Sequence, residues 1–346
     1  MRASLLPTVL PCLLLAPRSP PPQLEASRPQ LSSIGRSALL PGEAERSKKD
    51  DHSDILKPSA HCRLILFYGV GDISIKFSKW IKRAAEWLEV RVVELPGHGY
   101  RAEEVIPPAG EQREALSANA IQQDLVRLGS QLCDELTPLL DVPYHILGFS
   151  LGAMVAYTVT LELQQRAVPL PRRFFAVGRG APHLATIPED TFATLQAGPE
   201  EAILAWVSRE MSFPIDKLPA AAARRARAVS LFRFGALMGA VPYGAPPRLL
   251  PTGERFADDW AAHVCKCHHC LSPPPLLPRV VAIGSDSDAV WPAALHGRWA
   301  DVADGGFALH EFEGISHPAL MNARETQEVV WDEIRVDAAH RMGTAC

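Results

Sequence analysis

Apolar and polar positions along this chain fall into two alternating periodicities. Leu64-Ile65-Leu66-Phe67, Tyr144 to Leu147, Phe174 to Val177 and Arg279 to Ile283 are short, nearly continuous apolar runs. Strands buried on both faces of a parallel sheet read this way. Arg91 to Leu95 and Phe307 to Phe312 complete the set of expected strands. Helical spacing lies between them. Trp80, Ala84, Ala85 and Leu88 share one face, and positions 121, 125, 128, 132, 136 and 139/140 share another within a helix expected over Ile121–Leu140. A further helix runs from Leu151 through Tyr157 and Leu163, and a closing one spans Asn322–Val336. Strands alternating with helices predict an α/β fold, a mainly parallel sheet with helices on both faces.

The alternation stops between Leu184 and Pro278. Pro199–Arg209 and Leu218–Met238 read as helices and the remainder as loop. An insertion here follows the C-terminal end of a strand, the edge where open α/β sheets bind ligands, so about 184–278 is placed to be a helical lid. The folded domain is expected over 61–340. Residues 1–60 have another character. A basic start leads into Cys12-Leu13-Leu14-Leu15, then a Pro-, Ser- and Arg-containing stretch in which Glu25 is the only acid before Glu43. That pattern is expected of a disordered presequence or linker, with features of a signal or transit peptide, and leaves a cytoplasmic and a plastid location open.

Composition narrows the function classes. The chain is 346 residues long, 47% apolar and 21% charged, with a net charge of −4. Such a balance gives no general case for nucleic acid or stable membrane insertion. Seven cysteines, at 12, 62, 133, 265, 267, 270 and 346, are an odd number at irregular spacing, a poor disulfide framework.

The chemistry centres on Gly148-Phe149-Ser150-Leu151-Gly152, which sits between an expected strand and an expected helix. A sharp strand-to-helix turn holds the central serine in a strained conformation with its side chain outward. The Leu151 N–H then points where an oxyanion could form. Serine is a weak nucleophile and needs a base, which in turn needs an orienting acid. In hydrolases built on this turn the acid and then the histidine follow the serine. Ser285-Asp286-Ser287-Asp288 and Glu313-Gly314-Ile315-Ser316-His317 stand on two late post-strand loops. His317 is the expected base. Asp288 or Asp286 is the orienting acid. The glycine-rich loop after the first strand, Tyr68-Gly69-Val70-Gly71, is the expected source of a second oxyanion donor.

Several of these segments, in order, resemble type II (editing) thioesterases and the thioesterase domains of polyketide and nonribosomal peptide synthesis. Phe67 to Gly71, through Trp80, is similar to the family's F-P-Y-A-G-G loop and its tryptophan. Leu95 to Arg101 is similar to L-P-G-R-G-x-R, and Gly178-Arg179-Gly180-Ala181-Pro182-His183 to G-x-x-A-P-H. Gly284 to Val290 is similar to G-G-D-x-D-P-L, which favours Asp288 over Asp286, and Gly314 to His317 to the G-G-H turn. The resemblance covers roughly 62–335. It implies an α/β-hydrolase that cleaves acyl groups from the phosphopantetheine arm of acyl or peptidyl carrier proteins, in polyketide, nonribosomal peptide or fatty acid synthesis. It further implies Val70 and Leu151 as the oxyanion N–H donors, and neither cofactor nor metal. A monomer is expected.

The chain departs from the family pattern in places. Tyr68 replaces a proline, Asp72 a glycine and Phe149 a histidine. Asp72 puts a carboxylate near a site that must stabilise negative charge, and keeps a non-catalytic acyl-binding protein open as an alternative, beside a carboxylesterase or lipase. Cys265, Cys267, His268, His269 and Cys270 are too tightly spaced for a regular zinc knuckle and are read as an exposed loop. Arg224, Arg225, Arg227 and Arg233 form either a docking face for an acidic carrier protein or a solvated helix face.

Overall fold

The computed structural model describes residues 60–104, 118–184, 189–211, 213–241, 277–288 and 290–343. The expected presequence and the cysteine–histidine segment lie outside these residues. Six strands form one sheet: β1 (Cys62–Phe67), β2 (Leu88–Val92), β3 (Tyr144–Phe149), β4 (Arg173–Val177), β5 (Arg279–Ser285) and β6 (Phe307–Phe312). Their order is β2-β1-β3-β4-β5-β6 and every pairing is parallel. All residues of β3 and β4 are buried, whereas β6, at the edge, is only half-buried along its length. The apolar runs of the central strands follow from that double-sided burial.

The strand order fixes where a site can form. The chain steps from β1 outward to β2, then returns past β1 to β3 and continues the other way. Right-handed crossovers therefore put α1 (Ser78–Arg83) on one face and α2 (Ala118–Leu136) and α3 (Leu151–Gln165) on the other. The closing helix α9 (Arg324–Gly343) joins α1, with the Trp80 and Trp331 rings edge to face at 5.0 Å. The order in which strands are added reverses between β1 and β3, so the loops leaving those two strands flank the crevice at the sheet's C-terminal edge.

Some elements differ from the expected ones. Trp80, Ala84 and Leu88 suit a helical face, but α1 ends at Arg83 and Ala84 is extended. Leu88 begins β2, opposite Cys62. Leu88, Val90 and Val92 also alternate with period two, and sheet pairing settles that ambiguity in favour of the strand. The helix expected to reach Leu140 stops at Leu136 and tightens into a 3₁₀ turn containing Pro138, which cannot continue an α-helical ladder. The closing helix begins at Arg324 and runs to Gly343.

After β4 come α4 (Glu189–Ala197), α5 (Glu200–Met211) and α6 (Ala222–Ala240). α4 was expected to be loop; its mixed sequence carries only Phe192 and Leu195 as large buried groups. Ile203, Leu204 and Val207 of α5 pack with Val229 and Phe232 of α6 in a small cluster that also reaches Val70. The inserted helices are thus joined to the loop after β1. Two short elements, α7 (Ala293–His296) and α8 (His317–Leu320), follow β5 and β6. Among the described residues no helix is long and apolar enough to cross a membrane.

Candidate active site

Ser150 sits between β3 and α3 with φ 52° and ψ −120°. A non-glycine residue with positive φ is strained and persists only where its surroundings hold it. Here the Ser150 N–H donates to Val177 O at 2.9 Å. The flanking glycines are needed for space. A Cβ on Gly148 would collide with the α3 backbone at Gly152 and Ala153, and one on Gly152 with the carbonyl oxygens of Phe67 and Tyr68. Gly152 therefore lets the first turn of α3 lie against the loop after β1.

Two loops from the other half of the sheet reach Ser150. His317, at the start of α8, places Nε2 3.1 Å from Ser150 Oγ. Its Nδ1 lies 2.7 Å from Asp288 Oδ2. The other oxygen, Asp288 Oδ1, accepts the N–H groups of Val290 and Trp291, both at 2.9 Å. Ser150, His317 and Asp288 are all buried, each less than a tenth exposed. This chain of hydrogen bonds can take a proton from Ser150 and stabilise the resulting imidazolium. The His317 ring also stacks on Phe149, with centroids 5.1 Å apart. The phenylalanine that departs from the family pattern thus supports the histidine from below. Gly178, with φ +57°, permits this packing, because its Cβ would lie 3.3 Å from His317 Cε1.

Asp286 does not reach His317. It is exposed, and its Oδ1 accepts the Gly314 N–H at 2.8 Å and the Ser287 hydroxyl at 3.0 Å. The Gly314 amide holds its carboxyl below the usual range. Asp286 ties the loop after β6 to the loop after β5, three residues before His317.

The loop after β1 closes the other side. A Cβ on Gly69 would lie 3.0 Å from the Phe149 ring and 3.2 Å from Ser150 Cβ. Among the described residues neither the Val70 nor the Leu151 N–H has an acceptor. Leu151 is the first residue of α3, where a free N–H and the positive helix end are inherent. Two free amides beside a serine hydroxyl suit an oxyanion. The Asp72 carboxylate is bound by Lys76 Nζ at 2.7 Å, one helical turn on, so the loop's negative charge has a cation beside it.

A small apolar pocket opens next to Leu151, lined by Leu95, Leu128, Leu231, Phe234 and Met238, with His98 at its rim. Burial lowers the His98 pKa, and its Nδ1 lies 3.0 Å from Pro96 O, so the ring is a neutral wall at neutral pH. Gly235 in α6 brings that helix against Val70 and Leu151.

Sequence reasoning missed His296. It is fully buried behind Asp288, in space left by Gly284, and burial lowers its pKa to about 4. A lone histidine in a short helix carries no periodic signal, although a glycine twelve positions earlier hinted at a close neighbour. Three of the four arginines of α6 have local partners, and Arg224 is exposed. Arg233 donates to Leu195 O, Gln196 O and Gly198 O at the C-terminal end of α4. Arg225 pairs with Glu200 at 2.5 Å, and Arg227 lies 3.8 Å from Glu103. Among the described residues no cluster of side chains could hold a metal ion.

Parts of the chain are similar to known proteins. Residues 63–204 match the family model "Thioesterase domain". The chain is 27% identical over 133 residues to the medium-chain S-acyl fatty acid synthase thioesterase of Rattus norvegicus, covering 38% of this chain and 45% of that protein. It is 24% identical over 132 residues to the gramicidin S biosynthesis protein GrsT of Aneurinibacillus migulanus, covering 38% and 46%. The chain thus spans under half the length of the curated relatives it matches. The fold extends further: the RedJ thioesterase from the prodiginine pathway of Streptomyces coelicolor superposes with a TM-score of 0.57 at 23% identity, over 80% of this chain and 90% of that one. Residues 63–204 are thus similar in sequence to thioesterase domains, and the chain shares its fold with RedJ beyond them.

Proposed function

We propose that the protein is a serine thioesterase that hydrolyses acyl groups from the phosphopantetheine arm of acyl or peptidyl carrier proteins. The observation that carries this reading is the Ser150–His317–Asp288 chain of hydrogen bonds at a strained strand-to-helix turn. Ser150 Oγ attacks the thioester carbonyl while His317 Nε2 takes its proton. The Val70 and Leu151 N–H groups bind the oxyanion. Collapse of the tetrahedral intermediate breaks the C–S bond, and His317 returns the proton to the leaving pantetheine thiol. Water, deprotonated by His317, then attacks the acyl-serine and releases the free acid.

The acyl chain fits the apolar pocket beside Leu151, covered by Leu231, Phe234 and Met238 of α6. The relatives' names support the carrier-bound substrate: one is a fatty acid synthase thioesterase, another a gramicidin S biosynthesis protein. The test is a panel of acyl-carrier proteins from acetyl to long chain, with the Ser150→Ala protein as control. Release of acid by the wild type and its loss in Ser150→Ala is the expected result. Preference for p-nitrophenyl esters over every carrier thioester would instead make the protein an oxygen esterase.

A further inference from the structure

Glu94 is a buried carboxylate for which the triad has no use. It lies just past β2 and is 1% exposed. Among the described residues no cation pairs with it. Its acceptors are filled from one segment only. Oε1 accepts the Tyr68 hydroxyl at 2.6 Å and the Ser74 N–H at 3.3 Å, and Oε2 accepts the Ser74 hydroxyl at 2.6 Å. Tyr68 and Ser74 bracket the Gly69-Val70-Gly71 loop. One carboxylate therefore grips both ends of the segment that carries the Val70 amide.

The surrounding motif serves the same carboxylate. Gly99 has φ +44°, and a Cβ there would overlap the Glu94 carboxylate. The Arg101 guanidinium donates to Glu94 O at 3.0 Å and is itself held by Glu104 and Glu135. Tyr68 Oη accepts the Leu95 N–H at 2.9 Å, so the phenol is oriented to donate towards Glu94. Burial, and then the facing carboxylate, push its pKa well up, which keeps it a donor. Fully satisfied buried networks of this kind rigidify what they hold, because each broken bond leaves an unpaired buried group.

We propose that Glu94, acting through Tyr68 and Ser74, is a positioning residue that fixes the Val70 N–H beside Ser150. This rests on the thioesterase reading only for its kinetic consequence; the rigidity of the loop does not depend on it. Gly99 and Arg101 are then part of the same device, since they shape and anchor Glu94.

The test compares full-length wild type with Glu94→Gln and Tyr68→Phe. Amide hydrogen exchange at Asp72, whose N–H donates to Gly69 O, and at Ser74, whose N–H donates to Glu94 Oε1, reads the loop directly. Loss of one such bond should speed it by about fivefold or more. On an acyl-carrier thioester, kcat should fall by roughly ten- to a hundredfold, below the 10²–10³ of a donor removed outright. KM should stay within about twofold, because a misplaced oxyanion donor weakens transition-state binding and leaves ground-state binding alone. Tyr68→Phe removes a single hydroxyl, and keeps the test available if Glu94→Gln fails to fold. Folded variants with wild-type exchange overturn the proposal. Faster exchange with unchanged kcat overturns the positioning role. A wild type that hydrolyses no thioester overturns the thioesterase reading instead, and exchange alone then decides whether Glu94 holds the loop.

Discussion

Two aspartates stand two residues apart on the loop after β5, and replacing each with asparagine should separate their roles. Asp288 uses both oxygens as acceptors. Oδ1 takes the Val290 and Trp291 N–H groups at 2.9 Å, and Oδ2 faces His317 Nδ1 at 2.7 Å. Asparagine has only one acceptor oxygen. Two backbone donors demand it, so the amide NH₂ turns towards Nδ1. His317 must then present a lone pair at Nδ1 and carry its proton on Nε2, which lies 3.1 Å from Ser150 Oγ. A protonated Nε2 cannot accept the serine proton. The wrong-tautomer defect costs about 10⁴ in kcat, or about 5 kcal/mol of barrier. Folding should be preserved, since the backbone bonds to the side-chain oxygen remain.

Asp286→Asn keeps an acceptor oxygen for the Gly314 N–H and touches nothing in the triad. Its kcat should stay within about threefold of wild type, the range of an exposed polar substitution. Thiol release from an acyl-pantetheine substrate, followed colorimetrically at constant pH with thermal unfolding as a control for folding, measures both variants. A kcat for Asp288→Asn within tenfold of wild type, or a larger loss in Asp286→Asn, would refute the tautomer argument and return the assignment of the acid to Asp286.

Other substitutions probe the packing that holds the site. Gly152→Ala should cost on the order of 3 kcal/mol, read as a lower midpoint in urea, because its Cβ would meet backbone oxygens that cannot move aside. Phe149→Ala should cost about 3 kcal/mol by cavity formation and slow kcat by freeing the His317 ring; an unchanged kcat would show that Asp288 alone orients it. Asp72→Gly should alter kcat by less than about fivefold, since a part-exposed carboxylate paired with Lys76 exerts a weak field; a large gain would mean that its charge opposes the oxyanion. His296 has a folded pKa of about 4 against about 6.5 unfolded, so the unfolded chain binds its proton first. Its contribution is complete above about pH 6.5 and is lost as pH falls to about 4, a change on the order of 3 kcal/mol. Urea titrations across that window should show a flatter pH dependence in His296→Phe than in wild type.

How far the sequence reaches depends on whether a feature is local. The central strands are apolar on both faces because helices cover both, and that pattern is visible residue by residue. Leu88 was ambiguous because 80, 84, 88 and 88, 90, 92 fit two periods, and only the partner strand decides between them. The order of serine, aspartate and histidine on post-strand loops is a property of the chain itself, so candidates for all three were nameable. The structure brings Ser150, His317 and Asp288 within hydrogen-bond reach and leaves Asp286 outside. Spacing alone could not separate the aspartates: the difference lies in which carboxylate turns inward, which depends on the Val290 and Trp291 amides and on Asp286 meeting Gly314. Tyr68 and Phe149 looked like departures from a family pattern when read singly. In the fold each has a partner far along the chain, Glu94 for Tyr68 and His317 for Phe149. A substitution that seems to weaken a motif can therefore be half of a contact whose other half is read only in three dimensions.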